Sequence, residues 1–493
     1  MINRAKNLSI ETRAFIDGGF RSSVAGETIP KLSPVDGSNI PAIASCQKGD
    51  VDVAVEAAMS SFRAGIWANT ELEEKKKVCF ELAALMEENR EELALLDTLE
   101  TGRAYANYYY DSIPKAISAL RYFTEGVDKF YDTAISQRPG VLANITSQPL
   151  GAVGLITPWN DPMVVTIWKL APALLMGNSV VLKPAEQSTY SALKLASLAQ
   201  RAGLPAGVLN VIPGYGHTAG KALALHRDIR GIFFTGSSST GKKILSYSGE
   251  SNMKKLGLEC GGKSAFLVSR ACKDLPQAVS VLARNVFYNQ GQICSAPTRA
   301  FVDRAIMNDF MDLMEKEMEA YIPSDPFAQD TRVGCVVSKE QQQKIERYIE
   351  IGQREAVRVL RPRIDGELIP GGAYVVPVVF EFANQASVVA REEIFGPVLS
   401  VFGFDTIDQA ISEANDSDYG LAASIWSDDI NEALYVSGRL ESGIVHVNSY
   451  GEDDNSVPFG GIKESGIGKD KSLLAFHEYS YLKSTWIRYS SPS

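Results

Sequence analysis

Between residues 150 and 270, short apolar runs alternate with stretches of helical pattern, and this alternation limits the fold more than any other feature of the chain. The runs are Ala152–Ile156, Ser179–Leu182, Val208–Ile212, Ile232–Phe234 and Ala265–Val268; helical pattern such as Ser191–Ala202 and Ala219–Leu225 lies between most of them. Strands joined through helices pair in parallel, because a parallel pair needs a crossover connection. Ligands of such sheets bind outside the carboxyl ends of the strands. A second α/β region is expected from about 270 to about 475. It has helical pattern at Ile306–Glu319 and Lys339–Ile351, and strand-like runs at Val375–Phe380, Val398–Phe402 and Ile444–Val447.

The flanks add less. Thr70 and Glu73 have capping-box spacing ahead of Val78, Leu82, Leu85 and Met86, which recur at helical intervals. Gly102 is a stop for the helical stretch before it. The tail Tyr481–Tyr489 is β-prone and is expected to pair either with another subunit or within its own sheet.

Composition excludes several classes. The 493 residues suffice for three domains of about 150 residues each. With 45% hydrophobic and 22% charged residues the chain can bury a large core. A net charge of −10 disfavours a nucleic acid or an anionic membrane as partner. Six cysteines in so long a chain are no disulfide framework, and none forms C-x-x-C. Four histidines and no H-E-x-x-H argue against a catalytic metal. The most apolar stretch, Met163–Leu182, is interrupted by Lys169, Pro172, Gly177 and Asn178, so no membrane span is expected. The N-terminus lacks a signal-peptide h-region, and the expected location is cytoplasmic.

Phe234-Thr235-Gly236-Ser237-Ser238-Ser239-Thr240-Gly241-Lys242-Lys243 follows a strand and opens a helix, a setting that suits an anion. It fails the P-loop pattern at Lys243, where a hydroxyl must bind magnesium. Alone, it fits a plain glycine-rich connection as well as a diphosphate site. Glu186, in Lys183-Pro184-Ala185-Glu186, can accept from the hydroxyls of an adenosine ribose and would repel a 2′-phosphate.

The sharpest string is Phe287-Tyr288-Asn289-Gln290-Gly291-Gln292-Ile293-Cys294, preceded by Leu258-Glu259-Cys260-Gly261-Gly262-Lys263. Other strings join it: Pro158-Trp159-Asn160, Lys183–Glu186, Phe234–Ser237, Glu392-Glu393-Ile394-Phe395-Gly396-Pro397 and Pro458-Phe459-Gly460-Gly461. Together they resemble the aldehyde dehydrogenase superfamily, from about Phe15 to the C-terminus. A thiolate is the side-chain nucleophile best suited to a carbonyl, the oxyanion it creates needs donors in place, and hydrolysis of a thioester needs a base. The resemblance assigns these roles to Cys294, to Asn160 with the Cys294 N–H, and to Glu259. For NAD it implies Ile156 and Trp159 along the adenosine path, Lys183 and Glu186 at its ribose, Gly216 and Gly236 for close approach, and Ser237 at the pyrophosphate. Glu393 and Phe395 would hold the nicotinamide end. Glu186 favours NAD, although Lys183 can accept the phosphate of NADP. Cys260 departs from the usual residue after the base and is a second thiol beside the nicotinamide.

The resemblance further implies a Rossmann-like NAD-binding domain (1–128 and 150–261), an α/β catalytic domain (262–475), and a small β oligomerisation element (129–149 and 476–493). A homodimer or homotetramer follows from it. The strings Val457–Ser472 and Ser251–Lys255 look like the branch that oxidises γ-glutamyl-γ-aminobutyraldehyde, guanidinobutyraldehyde and other ω-amino aldehydes. The alternative is a broad-range enzyme. Asp161 stands where phenylalanine is typical, and Asp453 where an aromatic residue is common. With Asp111 these acids would draw an amine or guanidinium tail into the tunnel, while Trp168 and Phe459 supply aromatic surface.

Overall fold

The computed structural model describes residues 1–364 and 367–490. Its first sheet has eight strands, in the order Gly19–Arg21, Ala14–Ile16, Leu209–Val211, Ser179–Lys183, Ala152–Ile156, Gly231–Thr235, Lys255–Glu259 and Gly466–Ile467. The five from Leu209–Val211 to Lys255–Glu259 run parallel, and both flanks are antiparallel. Ala152–Ile156 and Ser179–Lys183 are buried at every position, as strands covered on both faces must be.

Register decides what emerges at the carboxyl edge. Ile156 lies opposite Lys183 on one side and Phe234 on the other, and Thr235 lies opposite Glu259. Four of the residues singled out by sequence therefore end their strands, or adjoin the strand end, at one level. The strand Lys255–Glu259 that carries Glu259 has no run of β-branched residues; Lys-Leu-Gly-Leu-Glu is held by pairing on both sides. One of its partners comes from far along the chain, with Gly466 opposite Glu259 and Ile467 opposite Leu258. Gly466 has φ of +146°, and a Cβ there would lie 2.1 Å from the Leu258 carbonyl oxygen, so only glycine lets this strand close the edge.

The second sheet has seven strands, in the order Arg358–Leu360, Val378–Phe382, Val398–Phe404, Arg299–Asp303, Ala265–Val268, Ala422–Trp426 and Ile444–Val447. All neighbours are parallel except the first pair. A third, antiparallel sheet joins Thr133–Arg138, Val141–Pro149 and Ser480–Arg488. The C-terminal strand pairs with Val141–Pro149 over nine residues, so of the two expectations for the tail, pairing within the chain is realised here.

Gly102 ends helix Arg90–Thr101 in the left-handed conformation, as expected. The capping box at Thr70 is not formed. The helix begins at Leu72, and the Thr70 hydroxyl instead donates to the Ile66 carbonyl at 2.7 Å, a local bond that competes with capping.

Asn178 ties three elements together. Its Oδ1 accepts from Gly151 N at 3.0 Å, and its Nδ2 donates to Ala173 O at 3.0 Å and Tyr479 O at 2.9 Å, all in full burial. Asn178→Ala strands the buried Gly151 N–H and the Tyr479 carbonyl, while Ala173 O keeps the backbone N–H of residue 178, and it should cost about 2–4 kcal/mol. Urea unfolding of the variant beside the parent checks this.

Candidate active site

A cavity of about 240 Å³ opens where the carboxyl edge of the first sheet meets the second. Asn160, Val165, Trp168, Glu259, Cys260 and Cys294 line it. Trp159, Ser237, Glu393, Phe395, Phe459 and Asp470 add to the lining, with Trp159 against Phe395 and Trp168 against Phe459.

Cys294 follows the helix Leu275–Phe287 through a tight turn in which Asn289 and Gln290 adopt φ of 47° and 56°. Such strain in non-glycine residues gathers at working sites. It aims side chains inward: Asn289 Nδ2 donates to Asn160 O at 3.0 Å, and Asn160 Nδ2 donates to Gln292 O at 2.9 Å. The amide of Asn160 is thus fixed by one of its two N–H bonds. Gly262 belongs to the same arrangement, because a Cβ there would lie 2.4 Å from the Cys294 carbonyl oxygen.

Burial governs the titratable groups. It pushes the Cys294 thiol up to about 12, and the acids Glu393 and Glu259 add to the rise. Glu259 is buried, and its Oε2 has no hydrogen-bond partner. Burial, with Asp470 adding to it, holds its carboxyl well above the usual range, against the pull of Lys169 and Lys469. Asp470 is paired with Lys169 at 2.7 Å, both buried. Burial also raises Cys260 to about 12. Glu393 is raised by burial too, against the Gly262 N–H that donates to it at 3.1 Å and against Lys344 and Lys263.

The cofactor candidates divide into two groups. Trp159 and Phe395 meet edge to face at 5.2 Å, with Phe395 at φ of 58°. Gly261 is required beneath Glu393, since a Cβ would lie 2.2 Å from its Oε2. Ser237 caps the helix Ser238–Ser251 and leaves an exposed N-terminus facing the cavity end, which fits a diphosphate. Ile156, Lys183, Glu186 and Gly216 lie outside the cavity. Lys183 and Glu186 pair at 3.0 Å just past a strand end, a pairing that leaves the carboxylate partly exposed for a ribose. Gly216 is exposed, and a Cβ there would meet nothing within 4 Å; Gly236 is needed because a Cβ would strike the Phe234 ring at 2.5 Å. The residues present fit a dinucleotide.

The three acids expected to attract an amine are placed differently. Asp161 pairs with buried Arg103 at 3.1 Å and accepts from Ser112 Oγ at 3.3 Å. Asp111 pairs with Lys115 at 3.0 Å and accepts from the Tyr288 hydroxyl at 2.6 Å. Burial works against its charge, but these partners hold it below the usual carboxylate range. Asp453 pairs with Lys471 and lines a second cavity of about 550 Å³ along helix Ile113–Gly126. None of the three is among the residues that line the cavity holding Cys294, and each is paired with a cation. Trp168 and Phe459 do line it, with ring centroids 5.3 Å apart.

The model of the aldehyde dehydrogenase family matches residues 20–485. The chain belongs to the aldehyde dehydrogenase family. It is 42% identical over 485 residues to the NADP/NAD-dependent aldehyde dehydrogenase PuuC of Escherichia coli, covering 98% of this chain and 97% of the relative. A γ-glutamyl-γ-aminobutyraldehyde dehydrogenase structure from Burkholderia cenocepacia superimposes with a TM-score of 0.96 at 43% identity, over 99% of each chain. An indole-3-acetaldehyde dehydrogenase structure from P. syringae, in complex with NAD+ and IAA, gives a TM-score of 0.97 at 44% identity, over 99% of this chain and 98% of that one. The protein is therefore an NAD(P)-dependent oxidoreductase of aldehydes, as the sequence strings implied.

Several residues of this dehydrogenase's site carried no motif. Gln341 and Lys344, from helix Lys339–Glu355, line the cavity, and Gln341 Nε2 donates to Phe395 O at 2.9 Å. Val165 could have been found from helical spacing to Trp168. Lys169, Asp470 and Arg103 had no such signal, since each acts through a partner distant in sequence.

A thiol raised to about 12 carries little thiolate near neutrality, and its thiolate fraction grows about tenfold per pH unit below that value. Iodoacetamide labelling of Cys294 in cofactor-free protein should therefore climb through pH 8, 9 and 10 without a plateau. The Cys294→Ala variant supplies the background from the other thiols.

Proposed function

We propose that the protein oxidises ω-amino or γ-glutamylamino aldehydes to carboxylic acids, with Cys294 as nucleophile, Asn160 and the Cys294 N–H as oxyanion donors, and Glu259 as base. The meeting of these three residues in one cavity carries the reading. Cys294 Sγ bonds to the aldehyde carbon and its proton leaves to water or carboxylate. The oxygen gains negative charge against the free N–H of the Asn160 amide, which Gln292 keeps in place. NAD, when bound, supplies the hydride acceptor, and a thioester on Cys294 is left. Glu259 takes a proton from water as it attacks that thioester, the C–S bond breaks, and the acid leaves with the thiol restored. A carboxyl held high in pKa is a base only on the alkaline side of its ordinary range, so the hydrolytic step should quicken as pH rises.

The γ-glutamyl-γ-aminobutyraldehyde dehydrogenase relative supports the amino-aldehyde class. A second reading, an arylalkyl aldehyde, is favoured by the Trp168–Phe459 pair and by the P. syringae relative. The same reading assigns residues 1–128 and 150–261 to an NAD-binding domain and 262–475 to a catalytic domain, whose strand Gly466–Ile467 reaches across to close the first sheet. The hairpin and tail (129–149 and 476–493), with exposed Tyr481, Leu482 and Trp486, would join subunits as a dimer or tetramer. Six unpaired cysteines support a reducing, cytoplasmic setting. No helix among the described residues is long and apolar enough to cross a membrane.

The test is NADH formation by purified protein with an ω-amino aldehyde, a γ-glutamylamino aldehyde and indole-3-acetaldehyde. Faster turnover of either nitrogen-bearing chain supports the reading; preference for the indole compound replaces it with the second. Asn160→Ala should lower kcat by about 10²–10³. Glu259→Gln should lower steady-state kcat by about 10²–10⁴ while leaving a single-turnover burst of NADH, which stopped-flow absorbance would resolve.

A further inference from the structure

Lys31 is a charged residue where the strand pattern calls for an apolar one. The strand Thr28–Leu32 alternates exposed and buried positions, and Lys31 shares the buried set with Ile29. Its ammonium bonds the Glu100 carboxylate, near the end of helix Arg90–Thr101, and donates to the Glu186 carbonyl at 2.9 Å. The Lys31 and Glu100 side chains are 5% and 0% exposed. Glu100 also accepts from Thr189 N at 3.0 Å and Tyr190 N at 2.8 Å, at the start of helix Tyr190–Arg201. The Lys31 ammonium lies 4.7 Å from the Tyr190 ring centroid. Burial opposes both charges, lowering the pKa of Lys31 and raising that of Glu100, and each partner counters the shift in the other. Asp97, one turn earlier on the same helix, is buried too, and burial raises its carboxyl well above the usual range. Asp97 therefore favours its neutral form, and Glu100 is the buried anion that meets Lys31.

A buried ion pair gives little stability beyond what apolar residues of the same volume would give, so stability alone does not account for this one. Its geometry does. Residues 184–189 form the turn between strand Ser179–Lys183 and helix Tyr190–Arg201. Inside the turn Ser188 N donates to Ala185 O at 3.1 Å, and Thr189 Oγ1 donates to the same oxygen at 2.9 Å. Neither bond involves Glu186. Its carbonyl is held by Lys31 from inside the protein, and its carboxylate, 27% exposed, by Lys183 at 3.0 Å. An O–H···O bond from a ribose hydroxyl needs about 2.5–3.0 Å. The place where the residue 186 backbone is held therefore decides whether its carboxylate is in reach.

We propose that Lys31 is a positioning residue for the dinucleotide: anchored on Glu100, it holds the Glu186 carbonyl and so keeps the Glu186 carboxylate in reach of the adenosine ribose hydroxyls. The proposal rests on the assignment of Glu186 to that ribose.

The experiment measures Kd, by quenching of protein fluorescence, for NAD and for its 2′-deoxyadenosine analogue. It reads the ratio of the two, which does not depend on the fraction of folded protein. The parent should prefer NAD by about tenfold or more, the scale of a hydrogen bond to a charged acceptor. Lys31→Met keeps an unbranched buried side chain without the ammonium and should lose most of that preference. Lys31→Ala should lose it as well and regain it in propylammonium, which supplies the part of the lysine side chain that alanine lacks. Lys31→Met should not respond to the amine, because its side chain fills that space. If Lys31→Ala does not fold, Lys31→Met decides alone. A parent-like preference in Lys31→Met, or a preference that propylammonium fails to restore in Lys31→Ala, overturns the proposal. Glu186→Ala tests the assignment beneath it. If Glu186→Ala loses the preference and the Lys31 variants keep it, the proposal falls and the ribose assignment stands. If Glu186→Ala keeps the parent preference, or the parent has none, the assignment itself falls and takes the proposal with it.

Discussion

Parallel pairing of Ser179–Lys183, Ala152–Ile156, Gly231–Thr235 and Lys255–Glu259 fixes the level at which the chain leaves the first sheet, and the site follows from that level. A register slip of one residue would turn the side chains of a strand to its opposite face. Glu259 reaches the cavity because Thr235 lies opposite it and Gly466 closes its other side. The loop that carries Asn160 begins where Ile156 ends its strand. Cys294 arrives from the second sheet, between helix Leu275–Phe287 and strand Arg299–Asp303, and is locked to the first through Asn160, Asn289 and Gln292. Cys294 and Glu259, the proposed nucleophile and base, therefore belong to different sheets and meet only when both are formed.

Desolvation is the common currency of this site. It raises Cys294, Glu259, Cys260 and Glu393 together, so the pocket holds its acids in their protonated forms more than water would. Aspartates around it are treated differently: they stay beside Lys169, Lys471, Lys115 and Arg103. Glu259, the proposed base, has no salt-bridge partner among the described residues, whereas Asp470, Asp453, Asp111 and Asp161 each have one. Glu259 Oε2, without a hydrogen bond, contrasts with Asp470, bonded to a buried lysine a short way off.

Much of this was legible in the sequence. The strands Ala152–Ile156 and Ala265–Val268 fall where apolar runs stood and Ile444–Val447 where a strand-like run stood, since short runs of this kind flanked by helices have few other folds. Lys255–Glu259 escaped notice because its strand character comes from its neighbours rather than from β-branched residues. At the site, Cys294, Glu259 and Asn160 sit in strings whose composition follows from chemistry, and they converge in one cavity. Asp161, Asp111 and Asp453 misled, because a carboxylate in sequence does not disclose its partner: Arg103 lies 58 positions from Asp161 and is invisible beside it. The Thr70 cap failed for a similar reason, the hydroxyl preferring the preceding turn.

The strand Gly466–Ile467 and Asp470 lie near the end of a 493-residue chain, yet they complete the surroundings of Glu259. During synthesis the thiol at position 294 leaves the ribosome long before these residues exist. Until they arrive, Glu259 has an open sheet edge beside it and lacks its neighbouring carboxylate, so the nascent chain carries Cys294 without a finished site. Assembly order thus makes catalysis the last property the polypeptide acquires, and a chain truncated anywhere before Gly466 should be a thiol protein rather than an enzyme.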